Sequence, residues 1–287
     1  MQPKHLKYII SIYCLFIMAG IAGVADAGCS FTTGSTGAIF FNNIDPSTTP
    51  GPVVGSVTTQ INFTCDKNKS FTVTANPASG WTLSSGANSM PYTLGFTASG
   101  TFDNASTPIA LLTATGTNII KASYENAPAG SYTNNQVTFT INCPTCGNPK
   151  TITATIPAGN VSGTVTNTCA VTQSAGTLTF NIDPSIAGTT TGTIAQDLKI
   201  KCTKSASIAI STSSSCGGAS PKLSSSYPAC GGYQIPYTFS RSSGVIGLGF
   251  GAGTDLALGI GGSVNSVDYA DAPVGNYGDL ETVTITY

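Results

Sequence analysis

Cys143-Pro144-Thr145-Cys146 is the spacing in this chain with the most chemistry open to it. A C-x-x-C pair can exchange disulfides, supply half of a zinc site, or close a structural bridge across a turn. Exchange requires the first cysteine at a helix N-terminus, where its pKa falls, and here a turn leads into a strand-like run instead. Zinc requires four ligands, and the sequence supplies no second C-x-x-C and no histidine beyond His5. A structural bridge is therefore expected. Without a usable histidine the chain lacks the commonest general base and metal ligand, and no paired carboxylates or nucleophile–base set stands out. The chain is expected not to be an enzyme and to carry no metal or cofactor.

The charges point the same way. Eleven basic and twelve acidic residues give a net charge of −1, which excludes a basic nucleic-acid binder and an acidic disordered tail. Only 8% of residues are charged, against roughly a quarter in an average domain. A chain rich in Thr, Ser and Gly with so few charges reads as β structure. Lys4 and Lys7 precede an apolar run over 8–24 that closes with Ala25-Asp26-Ala27. That order is expected to be a secretory signal over residues 1–27, cleaved after Ala27. Its removal takes away His5 and Cys14. The remaining Cys29, Cys65, Cys143, Cys146, Cys169, Cys202, Cys216 and Cys230 are an even number, which in an exported chain implies disulfides.

These cysteines sit in a tandem repeat. Cys29 and Cys65 recur as Cys169 and Cys202, and Phe41-Asn42-Asn43-Ile44-Asp45-Pro46 recurs as Phe180-Asn181-Ile182-Asp183-Pro184. Pro91-Tyr92-Thr93 answers Pro236-Tyr237-Thr238, and Ala127-Pro128-x-Gly130-x-Tyr132 answers Ala272-Pro273-x-Gly275-x-Tyr277. A period this long means two domains, because solenoid units are shorter. Equivalent cysteines should pair alike, so Cys29–Cys65 and Cys169–Cys202 are expected; proximity then pairs Cys143 with Cys146 and Cys216 with Cys230.

Within each repeat apolar residues alternate with Thr, as in Val137, Phe139 and Ile141, and again in Val283, Ile285 and Tyr287. Period two marks strands with one face on a core, and short strands divided by turns suggest an antiparallel sandwich. Residues 143–168 have no counterpart after Tyr287. Ile152, Ala154 and Ile156 alternate there as a further strand, which is expected to close the first domain in cis. The second domain, lacking it, is expected to present Val283, Ile285 and Tyr287 on an open edge, a hazard unless a partner covers it. The division expected is a signal over 1–27, a self-complemented domain over 28–158, a linker over 159–168 and an incomplete domain over 169–287.

The repeated Cys-containing opening, the Pro-Tyr-Thr strand and the Ala-Pro-x-Gly-x-Tyr…Val-Thr-Ile-Thr-Tyr ending resemble the spore coat protein U domain, shared with subunits of archaic chaperone–usher pili. The resemblance implies two immunoglobulin-like β-sandwiches, the second lacking its final strand. It implies that a periplasmic chaperone lends that strand and that the next pilin subunit replaces it at the outer-membrane usher. The predicted mature start, Gly28-Cys29, leaves no donor segment before the first cysteine, so a capping tip subunit is expected. Such an adhesin would travel through the periplasm to the cell surface, or be secreted, and would mediate attachment to abiotic or cellular surfaces and biofilm formation. Trp81 and Phe102 are the candidate adhesive loop residues. A coat component and a soluble carbohydrate-binding module are the rival readings.

Overall fold

Alternation of apolar residues with threonine builds the centre of the first domain. Val137–Asn142 buries Val137, Phe139 and Ile141 and turns its threonines outward. On one side it pairs antiparallel with Ser70–Asn76 and on the other with Thr151–Ile156. The chain is seen in a computed structural model that describes residues 28–48, 51–103 and 107–287. The signal expected over 1–27 and the Asn104-Ala-Ser106 sequon lie outside them.

Ser99–Thr101 completes this four-stranded sheet. Facing it is a six-stranded sheet in the order Ser56–Thr59, Ala38–Ile44, Val161–Val165, Gly130–Asn134, Thr82–Ser85, Asn88–Pro91. One continuous core lies within, with Phe63, Phe71 and Phe102 meeting at centroid distances of 5.0–5.8 Å. Such edge-on and tilted packing is favoured by the ring quadrupoles. The second domain repeats the plan with less pairing. Its Ser207–Ser214 pairs with Glu281–Thr286 and Val245–Ile246, and its core divides into two clusters, around Ile200 and around Tyr237. The two one-turn helices, Lys121–Tyr124 and Ser266–Tyr269, occupy equivalent places and each buries its tyrosine. The described residues are thus nearly all β, in two tandem sandwiches, and none of their helices is long and apolar enough to cross a membrane.

The boundary expected between the domains is corrected. Residues 159–168 were expected as a linker, yet Val161–Val165 is a strand in the middle of the six-stranded sheet. The closing strand therefore does not end with Ile156. Ile152 is half-buried and Ala154 and Ile156 are fully buried, then the chain crosses to the other sheet and continues to Val165. The reason is geometric: the chain passes from the six-stranded sheet at Gly130–Asn134 to the four-stranded sheet at Val137–Asn142, and the antiparallel segment that pairs with both makes the return crossing. The connection shrinks to 166–168 and is itself tied down. The Thr168 N–H donates to Thr203 Oγ1 at 3.0 Å, and the Thr203 hydroxyl lies 3.1 Å from the Thr166 carbonyl. Nearby, the Gly251 N–H donates to Asn126 Oδ1 at 3.2 Å across the domain boundary.

A chain of residues 28–168 should fold as a monomer and melt cooperatively, whereas one ending at Ala158 should not. The shorter chain loses the burial of Val161 and Val165, roughly 1.5–3 kcal/mol each, and uncovers the residues beneath them. Thermal unfolding of the two fragments checks this; equal melting temperatures would show that 161–165 is dispensable.

Candidate functional site

The place filled by Val161–Val165 defines what the second domain leaves open. This strand runs parallel to Ala38–Ile44, with Val161 opposite Ile39 and Gly163 opposite Phe41, and antiparallel to Gly130–Asn134. Phe41 and Ile44 on one flanking strand and Tyr132 on the other are 0%, 0% and 1% exposed. Gly163 permits the close approach, since a Cβ there would sit 3.1 Å from the Phe41 Cβ. At the strand's start the Val161 N–H donates to Oδ1 of the buried Asn134 at 2.9 Å, and the Gly159 N–H donates to the Asn134 carbonyl at 3.1 Å.

The walls of this place recur in the second domain. Tyr132 donates its hydroxyl proton to the Pro128 carbonyl at 2.9 Å, and Tyr277 does so to the Pro273 carbonyl at 2.7 Å. Asp45 and Asp183 each accept from the backbone N–H of the serine two residues on, both at 2.9 Å. Phe41 packs edge-on against Tyr92, and Phe180 packs tilted against Tyr237. Between these walls, however, no described strand runs. A groove of about 1060 Å³ opens there, lined by Phe180, Ile182, Tyr237, Tyr277, Glu281 and Val283 among others. Phe180, Ile182 and Tyr277 are half-buried, where Phe41, Ile44 and Tyr132 are covered.

One end of the groove is acidic. Tyr237 Oη lies 2.9 Å from Asp279 Oδ2 and 2.9 Å from Glu281 Oε1. Burial, reinforced by the two carboxylates, holds the Tyr237 hydroxyl above the usual phenol range. Burial would also raise Asp279, but hydrogen bonds from Ser214, Ser215, Tyr237 and the Cys216 N–H outweigh it and hold that carboxyl below its ordinary value. Glu281 is raised, first by burial and then by the neighbouring Asp279. Its Oε2 is buried and has no hydrogen-bond partner.

Among the residues singled out from sequence, Val283 and Ile285 are half-buried on the inner face of the edge strand Glu281–Thr286, and Tyr287 stands half-exposed just past its end. The disulfides are Cys29–Cys65, Cys143–Cys146, Cys169–Cys202 and Cys216–Cys230. The fold brings Cys29 and Cys65 to the C-x-x-C turn, so that four buried sulfurs lie within 4.8 Å of one another. This juxtaposition was not visible in the spacing; with both bridges formed, the sulfurs offer no thiolate to a metal.

Phe102 is corrected as an adhesive residue, because it is 1% exposed and packs on Phe63 and Phe71. Trp81 is half-buried against the core, near Tyr92 and Phe96, with its indole N–H on the Pro77 carbonyl at 3.1 Å. Replacing Phe102 by Ala should cost about 3–5 kcal/mol of first-domain stability, measured by denaturant unfolding. The sequence places Phe180 and Tyr237 in the repeat without assigning them to a site, and it does not single out Asp279 or Glu281. Carrying the spacing of Tyr92 and Tyr237 onward from Asn134 would have found Asp279.

The acidic end sets a pH dependence. A carboxyl whose folded pKa is raised stabilises the fold while protonated, and that contribution is lost as pH rises through the raised value. Asp279, held low, acts in the opposite sense and loses its contribution as pH falls. Replacing Glu281 by Gln removes only the first effect. E281Q should therefore melt above the unsubstituted chain near about pH 7, with the difference vanishing toward about pH 4. Calorimetry across that range checks it, and a difference that grows on acidification would reverse the assignment.

No family model matches the chain, and no curated protein matches it in sequence. Among solved structures it is similar to the CsuC–CsuE chaperone–tip adhesion subunit pre-assembly complex from archaic chaperone–usher Csu pili of Acinetobacter baumannii. That similarity has a TM-score of 0.42 and 13% identity over 91% of this chain and all of that one.

Proposed function

We propose that this protein is an exported pilus subunit whose second domain receives a strand from another polypeptide. The observation that carries the reading is the groove along Phe180, Tyr277 and Val283, which occupies the position that Val161–Val165 fills in the first domain. Three apolar side chains entering it would contribute roughly 1.5–3 kcal/mol each, so about 5–9 kcal/mol in all, against a whole-domain stability of about 5–15 kcal/mol. The second domain is thus marginal until covered. Strand addition satisfies both the apolar groove and the unpaired edge of Glu281–Thr286.

In this reading a periplasmic chaperone covers the groove during export, and the next subunit's extension replaces it at the usher. In the first domain Val161–Val165 fills the position of the groove, which supports an outer position for this domain, at the tip, with surface attachment and biofilm formation as its contribution. Its role is mechanical and adhesive rather than catalytic.

The test is to supply the strand. Residues 169–287 produced alone in a periplasm should be degraded or insoluble, and should be rescued by a cognate chaperone or by a strand of alternating apolar residues fused through a short turn after Tyr287. A soluble, cooperatively melting 169–287 fragment without any partner would favour a free-standing binding module instead.

A further inference from the structure

The two domains differ at one end of the strand position in a way that specifies the incoming strand. Tyr92 and Asn134 correspond, at a constant spacing of 145 residues, to Tyr237 and Asp279, and the pairing of Ile141 with Val73 and of Ile285 with Ile210 sets Glu281 at the place of the buried Val137. In the first domain this corner is neutral and is closed by the strand itself, through the Val161 N–H on Asn134 Oδ1 at 2.9 Å. In the second domain Asp279 replaces the Asn134 amide and Glu281 takes the inward position of Val137. The single Tyr237 hydroxyl proton faces both carboxyls at 2.9 Å and can be donated to only one of them. Asp279 has further donors in Ser215 and the Cys216 N–H. Glu281 has none, and its Oε2 is buried without a partner.

Among the described residues no cation of the chain answers this corner. Their one ion pair joins Lys201 to Asp255. A strand entering the groove would take the remaining water from the two carboxyls, and a buried carboxylate needs a charged or hydrogen-bonding partner. A backbone N–H, as from Val161, serves Asp279 as it serves Asn134, and leaves Glu281 unanswered.

We propose that the strand received by the second domain carries a lysine or arginine facing Glu281 at this end of the groove, and that this residue selects which strand is accepted. The proposal rests on the reading of the groove as a strand acceptor and adds the chemistry of its occupant: apolar residues in alternation, with one basic residue at the Asp279–Glu281 end. The first domain's own strand, with no basic residue between Thr151 and Val165, is then a poor occupant of the second groove. The acidic corner discourages the molecule from exchanging its own closing strand between copies.

The experiment refolds the chain of residues 28–287 with peptides copying 151–165, carrying Lys or Gln at 156, which pairs with Val137 in the first domain, or at 159 or 160 in turn. Each Lys and Gln pair is offered as an equimolar mixture, and the captured ratio is read by mass spectrometry. For at least one position the Lys peptide should be captured in preference by about tenfold or more, as a charge-assisted hydrogen bond provides. The D279N/E281Q variant, which removes both charges, should capture both equally; E281Q alone serves if the double variant does not fold. Equal capture at all three positions by the unsubstituted chain overturns the basic residue and leaves the acceptor reading standing. A preference that persists in the variants overturns the assignment to Asp279 and Glu281. Capture of no peptide overturns the acceptor reading and this proposal together.

Discussion

A chain that crosses between the two sheets of a sandwich needs a partner that crosses with it, and everything specific to this molecule follows from where that partner comes from. In the first domain the chain crosses between Gly130–Asn134 and Val137–Asn142, and the segment from Thr151 to Val165 crosses back alongside. The buried Phe41, Ile44 and Tyr132, the neutral corner at Asn134 and the short connection to the second domain all depend on that one crossing. Where the crossing is missing, the same residue types stand half-covered beside a groove. The repeat thus contains both the closed and the open form of a single design.

The sharing of residues between the two forms explains why the open one holds its shape as far as it does. The Asx turns at Asp45 and Asp183, the tyrosine hydroxyls on Pro128 and Pro273 and the one-turn helices are local devices that need no completing strand. The Cys169–Cys202 bridge likewise ties neighbouring strands without it. What the second domain lacks is long-range: its core is divided in two, and its Phe180 and Tyr277 are only half-buried.

Much of this was readable from residue order because it depends on periodicity and repetition. Val137, Phe139 and Ile141 declare a strand by alternation, and the duplicated cysteines pair as a repeat requires. The strand at Val161–Val165 was unreadable for a physical reason. It is short, follows Gly159-Asn160, and carries a glycine at 163 that looks like linker but sits tightly against Phe41 on the neighbouring strand. Phe102 misleads similarly: it lies between Gly100 and Asp103 as a loop residue would, yet it closes the aromatic cluster with Phe63 and Phe71. The acidic corner could be seen only by superposing the repeats, because each carboxyl taken singly is an ordinary surface-type residue.

The connection between the domains has a mechanical consequence. Residues 166–168 lead directly from the end of Val161–Val165 into the second domain, so tension between the two domains pulls the closing strand lengthwise. Its hydrogen bonds to Ala38–Ile44 on one side and Gly130–Asn134 on the other are then loaded in shear, side by side, and must yield together instead of peeling one at a time. Resistance to force is governed by the rate of such an opening and not by equilibrium stability. A domain closed by its own strand, with the tether attached at that strand's end, is built to stay shut under load.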